Sequence, residues 1–340
     1  MSKKYNTLVF LCRVQPVHSA HVEIIRRATI LAKQVVIIVG SANQPRTYKN
    51  PFTAQERINM LRMASNVGDK ETSIRIESNT DSLYNDQSWA ARIQAIVAKH
   101  SVPGDKIGII GHKKDASSEY LNMFPQWEFE NVELIEPLNA SNIRDFFFDK
   151  NFNSNFIKNV VPASTYNFLM EFRNTEAFAQ IVHEREFIAN YKKQFASLPY
   201  PPVFVTTDTL VICSGHVLLV ERKAFPGKGL FALPGGFLNP NERIVQGAVR
   251  ELKEETKIKI PIPVLEGSIK SVKVFDHPDR SARGRTITHC FLIQLPDGEL
   301  PKVKGSDDAK TAQWVPISQV DSSMMFEDHA QIISEMLGTV

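Results

Sequence analysis

Two groups of residues in this chain have types and spacing suited to phosphate chemistry. The first is acidic: Glu251, Glu254 and Glu255 follow Arg250, with Glu242 eight positions before that arginine. On a helix of 3.6 residues per turn, Glu251 and Glu255 fall one turn apart. Clustered carboxylates suit a hard divalent cation such as Mg2+, and such a cation polarises a pyrophosphate and activates water. A solvated acidic face with Arg250 paired to Glu254 would leave the glycine-rich approach Leu233–Phe237 and the Glu242 spacing unexplained. The second group is basic. His18 and His21 stand three apart just after an apolar run. A helix opening near Ser19–Val22 would bring backbone N–H groups and a positive dipole end to that run's carboxyl edge, which is an anion site. Two imidazoles add donors for phosphate oxygens. Asn139–Arg144 supplies another polar pair, with Ser141 read as a helix cap and Arg144 one turn further on.

These groups need elements to hold them. In the first half, short apolar runs at 7–11, 35–39, 74–76, 107–110 and 132–135 alternate with helical patterns at 21–33, 53–66 and 88–100. Buried strands alternating with helices imply a parallel sheet covered on both faces, with ligands at the carboxyl ends of its strands. Thr53 and Glu56 form a capping-box pattern. A charged helical pattern from 176 to 195 meets Pro199-Tyr-Pro-Pro202, which ends it. Beyond lie β-rich runs at 203–212, 217–220 and 287–295 and one strong helix at 241–256, a mixed α+β texture. The expected division is 1–182, a linker at 183–202, and 203–340.

The bulk numbers restrict the class. The chain has 340 residues, 43% hydrophobic and 23% charged, with a net charge of +3. That is ordinary soluble composition and gives no argument for nucleic-acid binding. Cys12, Cys213 and Cys290 form no pair at metal or disulfide spacing. No run is long enough for a membrane span. The reading is a cytoplasmic protein that acts on small molecules and leaves room for a homo-oligomer.

Gly236–Glu242, seven further residues and Arg250–Ile258 resemble the Nudix box, G-x5-E-x7-R-E-U-x-E-E-x-G-U, departing from it only at Lys257. The resemblance implies a Nudix α/β/α sandwich with a mixed sheet. It implies pyrophosphate hydrolysis with Mg2+ or Mn2+ held by Glu251, Glu254, Glu255 and Gly235. The segments around Arg222, Arg280, Arg283, Arg285 and Asp308–Trp314 are similar to the ADP-ribose-hydrolysing subgroup, which makes those arginines diphosphate-binding candidates. Glu327 and Asp328 are candidates for general base.

Cys12–His21 resembles the G-R-F-Q-P-x-H-x-G-H segment of nicotinamide mononucleotide adenylyltransferases, with Cys12 and Ala20 at positions where that segment has Gly. Gly40–Arg46, Asn50–Arg57 and Gly111–Asp115 are similar to the archaeal-type branch of the same enzymes. The resemblance implies a Rossmann-like nucleotidyltransferase domain with ATP and nicotinamide mononucleotide as substrates. It makes His18, His21 and Arg144 catalytic, with Arg144 reaching the triphosphate. The implied nucleotide-binding positions are Arg13, Gln15, Ser41, Arg46, Phe52, Arg57, Asn85, Trp89, Gly111, Lys113, Asp115 and Ser141. The whole chain resembles the bifunctional enzymes that join these two domains. The alternatives are another phosphate acceptor, another Nudix substrate, or a Nudix domain that senses a ligand without cleaving it.

Overall fold

A computed structural model describes residues 3–65, 68–112, 116–133, 139–149 and 152–338, with the side chains of 116–119 outside the description. Lys113 and Asp115 lie outside the described residues. Chain contacts divide the protein into two units, 1–182 and 183–340.

In the first unit, five strands form one sheet: β1 (Tyr5–Cys12), β2 (Ala32–Val39), β3 (Ser73–Ser78), β4 (Ile107–Gly111) and β5 (Glu128–Asn131). The order is β3-β2-β1-β4-β5 and every pairing is parallel. The order reverses at β1, so the crevice beyond its carboxyl end is where such a sheet takes a ligand. Helices α1 (Ser19–Leu31), α2 (Ala54–Ala64), α3 (Asp86–Ala98), α4 (Ala140–Phe147), α5 (Ser154–Val160) and α6 (Ala163–Phe172) follow, and α7 runs Glu176–Lys193. Successive β1 residues point to opposite faces, so Leu8 and Phe10 join one buried cluster while Val9 joins the other. Thr53 caps α2 with Glu56 bonding back to it, completing the capping box.

Two local expectations change. The last strand lies at Glu128–Asn131, before the apolar run 132–135. An edge strand with one neighbour needs no unbroken apolar run, and β5 has no buried residue, its two ends exposed and its middle half-buried. Ser141 does not cap α4. Asn139 does, its Oδ1 accepting from Asn142 N–H, and Ser141 lies inside the helix.

The second unit holds a mixed sheet: β6 (Phe204–Cys213), β7 (His216–Arg222), β8 (Phe231–Ala232), β9 (Gly235–Phe237), β10 (Ile269–Phe275), β11 (Thr286–Gln294) and β12 (Ala309–Pro316). β11 and β6 run parallel, while the other pairings are antiparallel. α8 (Ile244–Thr256) buries Ala248, Val249 and Leu252 in a core shared with Val211, Leu218 and Ile293. Helices α9 (Ile262–Gly267) and α10 (His329–Leu337) complete the unit. α8 ends on Lys257 in the left-handed region at φ 51°, where glycine is the least strained residue. The 183–202 segment packs with this unit: His183 stacks on Phe225, and Tyr191 and Phe195 pack on Phe204. Among the described residues no helix is long and apolar enough to cross a membrane.

Candidate functional sites

In the first unit, β1 ends at Cys12 and the chain turns through Val14, held at φ 45°, before α1 begins at Ser19. A buried β-branched residue in the left-handed region marks a turn held by its surroundings. Those surroundings are several of the motif residues. Arg57 is 1% exposed and donates to the carbonyls of Arg13 (2.8 Å), Gly40 (2.7 Å) and Ser41 (2.9 Å). Arg144 donates to Gln15 O at 2.8 Å and to Ser141 Oγ at 3.0 Å. The Gln15 amide exchanges two hydrogen bonds with the Phe52 backbone, while the Phe52 ring sits in an aromatic core with Phe147 and Phe172. Arg46 is paired with Glu56 through both guanidinium nitrogens at 2.7 and 2.8 Å. Each of these residues, expected at the nucleotide, makes bonds that build the loops, while Arg144 Nε is buried with no hydrogen-bond partner among the described residues.

Those loops open on a cavity of about 500 Å3, lined by Arg13, His18, His21, Trp89 and Gly111 among the expected residues. His21 Nδ1 accepts the His18 backbone N–H at 3.2 Å, and the two rings lie 3.7 Å apart. With Nδ1 an acceptor, the neutral His21 ring carries its proton on Nε2, a donor. Trp89, which also lines the cavity, meets Tyr120 edge-on at 6.1 Å. Burial pushes the Tyr120 hydroxyl and the Cys12 thiol each up to about 12, which leaves Cys12 an inert small apolar group. Ala20 lies within α1, so its position asks for no glycine conformation. Asn85 caps α3 through Ser88 N–H.

Sequence reasoning missed Asp81. It lines this cavity and accepts from Ser41 N–H (3.0 Å), Ser41 Oγ (2.6 Å) and Gln44 Nε2 (3.2 Å), which places Ser41 behind it. The Gly40–Arg46 segment was the available signal, since its polar loop needs an acceptor.

In the second unit, Arg250 is a hub. It bonds both oxygens of Glu242 (2.6 and 2.9 Å), Glu251 (2.8 Å) and Glu254 (2.9 Å). Arg250 holds the Glu242 carboxyl down at about 2. Glu255 stands apart: it is 7% exposed and accepts Gly235 N–H at 3.0 Å. Burial, aided by the neighbouring charge of Glu251, pushes it up to about 8, and burial raises Glu251 as well. Glycine is required beside them. A Cβ on Gly236 would lie 2.4 Å from Glu251 Oε1, and one on Gly235 would lie 2.4 Å from Asp208 Oδ1. The di-glycine thus brings backbone among Asp208, Glu251 and Glu255.

Among the described residues no three acidic, His or Cys side chains are already gathered for a metal ion, since Glu251 and Glu254 lean to Arg250. The donor set nevertheless fits a hard dication. Its ligands are oxygens, and Glu255 is a buried carboxyl, with Glu251 half-buried beside it, whose charge needs compensation.

The arginines divide by role. Arg280 grips Asp328 with two bonds of 2.9 Å, the side chains 3% and 1% exposed, so each is engaged in that buried pair. Arg285 bonds Asp276 O. Arg222 lies 4.0 Å over the Phe326 ring, and Arg283 lies 5.0 Å over Phe237 and 5.9 Å over Phe326. Arg222 and Arg283 repel one another, and burial lowers the pKa of Arg222. Glu327, held at φ 45°, accepts Ala282 N–H at 2.9 Å and is raised by burial. Phe326 and His329, whose Nδ1 accepts Leu233 N–H, were missed. They reach this unit's site from a segment some seventy residues beyond α8, and no motif marks them.

Comparison with known proteins follows the same division. Residues 204–336 match the model of the NUDIX domain, and 10–158 match that of the cytidylyltransferase-like family. The nicotinamide/nicotinic acid mononucleotide adenylyltransferase of Acinetobacter baylyi is 34% identical over 179 residues, 52% of this chain and 92% of that protein. The ADP-ribose pyrophosphatase of Methanocaldococcus jannaschii is 35% identical over 133 residues, 39% of this chain and 72% of that protein. The crystal structure of a bifunctional NMN adenylyltransferase/ADP ribose pyrophosphatase from Francisella tularensis, complexed with AMP and a manganese ion, superposes with a TM-score of 0.91. It is 36% identical, and the match covers 98% of this chain and 99% of that one.

Proposed function

We propose, because the chain belongs to the family of bifunctional NMN adenylyltransferases/ADP-ribose pyrophosphatases, that its two sites divide those reactions between residues 1–182 and 203–340. In the first, a 5′-phosphate oxygen of nicotinamide mononucleotide attacks the α-phosphorus of ATP, NAD forms and pyrophosphate leaves. The observation that carries this assignment is the His18–His21 pair at the mouth of α1 in a cavity walled by Trp89. His21 donates from Nε2 to the phosphate that gains charge, the α1 N-terminus adds its backbone donors, and Trp89 offers a face for the nicotinamide ring. Arg144 acts through Gln15, fixing the turn that presents the histidines.

In the second site, water cleaves the diphosphate of ADP-ribose to give AMP and ribose 5-phosphate. Mg2+ or Mn2+ would be held by Glu251 and Glu255, with Glu254 once it leaves Arg250, and would supply Lewis-acid polarisation and a more acidic water. Arg222 and Arg283 hold the diphosphate against Phe326. Glu327 is the base of choice, because Asp328 is committed to Arg280. The test is a product assay on the intact chain. ATP with nicotinamide mononucleotide should yield NAD and pyrophosphate, and ADP-ribose with Mg2+ should yield AMP. Absence of either product removes the corresponding assignment.

A further inference from the structure

Behind the loop that carries Asp81 lies a second cavity of the first unit, of about 290 Å3, between the segments that follow β2 and β3 and one stripe of α3. Arg92, Ala95, Ile96 and Lys99 contribute the helix side at three-to-four spacing, which puts them on one face. Asn79 forms part of its wall, and no aspartate or glutamate lines it.

The charge in this wall is unbalanced. Arg92 donates to Asn79 Oδ1 (3.3 Å), Ser88 Oγ (2.7 Å), Thr80 O (3.3 Å) and Ser82 Oγ (2.6 Å), all of them neutral acceptors. Among the described residues neither Arg92 nor Lys99 has a carboxylate within the 4.0 Å of an ion pair. Asn79 is 5% exposed, and its Nδ2 is buried without an acceptor. A half-buried guanidinium satisfied only by neutral groups gains more from an anionic acceptor, because the Coulomb attraction of an opposite full charge is added to the hydrogen bond. No carboxylate lines the wall, so an anion entering here meets Arg92 and Lys99 directly, while Asp81, whose charge also acts on Arg92, stands outside the lining.

We propose that this cavity is a second anion site, distinct from the histidine pocket, which binds a phosphate-class anion between Arg92 and Lys99 over Asn79. The phosphate chemistry has two sources, a free inorganic phosphate or pyrophosphate and the phosphoryl group of a nucleotide. Either would reach the larger pocket through a shared wall, since Asn79 lines both cavities and Arg92 clamps the loop from Thr80 to Ser82 that flanks Asp81. An anion that draws Arg92 away from Ser82 and Thr80 loosens that wall, so occupancy should raise the KM of unit 1 more than it changes its kcat. The binding claim itself does not depend on which reaction the larger pocket performs.

Calorimetric titration of the intact chain with inorganic phosphate, pyrophosphate and AMP in separate runs tests it. Lys99→Glu reverses one charge and Ala95→Leu fills the cavity, and neither residue lines the histidine pocket. The expected result is a wild-type site whose affinity falls at least about tenfold in both variants. Binding of phosphate or pyrophosphate that both variants weaken identifies the free anion as ligand of this cavity, and such variant-sensitive binding of AMP alone identifies a nucleotide phosphoryl group. Wild type and both variants binding every probe equally, or wild type binding none, overturns the proposal. Adenylyl transfer measured on the same preparations reports separately on the reaction assigned to the larger pocket.

Discussion

The two units meet phosphate in opposite ways. The first offers donors: two imidazoles and a helix mouth, gathered within one strand-turn-helix segment, so that His18 and His21 are near in sequence and near in space. The second offers carboxylates and needs a cation to make them useful. Its parts come from β6 with Asp208, the di-glycine of β9, α8, and residues 326–329. A site built locally holds its geometry through a few loop-supporting bonds. A site assembled from distant segments stores its cost as buried charge, seen in Glu255 held at about 8.

That contrast sets how the sites should break. Removing a donor from the first should cost the most: His21→Ala should lower the rate of NAD formation about 100- to 1,000-fold, as loss of one transition-state donor does, with ADP-ribose hydrolysis unchanged in the same preparation. Glu255→Gln should lower hydrolysis at least about 100-fold, since even groups one step removed from a metal cost 10- to 100-fold, and leave NAD formation alone. A variant that lowers both activities would end the separation of the sites.

The same glutamate has a pH signature. Its folded pKa is raised from 4.5 to about 8, so its contribution to stability is fully present below about 4.5 and is lost as pH climbs to 8. Without metal, Glu255→Gln should therefore melt higher than wild type at pH 8, with the gap closing toward pH 5 in a thermal scan. Arg280→Met strands the buried Asp328 and should cost about 3–5 kcal/mol in denaturant unfolding of the second unit. The smallest effect belongs to Lys257→Gly, which relieves a left-handed lysine and should stabilise by about 1 kcal/mol.

Legibility in sequence followed the same contrast. The apolar runs of β1 and β2, the capping box of α2 and the histidine spacing are local patterns, and each could be read directly. The Nudix helix was legible because one face repeats at helical period. β5 was misplaced because an edge strand needs no continuous apolar run, and Ser141 was read as a cap when Asn139, two residues earlier, performs that role. Arg57, Gln15 and Phe52 stood in motifs that mark a site, but the loop-holding bonds they make were not legible in sequence. Asp208, Phe326 and His329 converge only through long-range pairing, for which a single sequence carries no signal.

The most direct test of two independent phosphate sites is one phosphorus NMR time course on the intact chain with ATP, nicotinamide mononucleotide, ADP-ribose and Mg2+ together. The account predicts that pyrophosphate and the dinucleotide grow at the expense of ATP while AMP and ribose 5-phosphate grow at the expense of ADP-ribose. It also predicts that each pair's initial rate at saturating substrate, before pyrophosphate and AMP accumulate, is the same when the other substrates are left out. A spectrum in which ADP-ribose persists, or in which ATP and the mononucleotide stand unchanged, would contradict it.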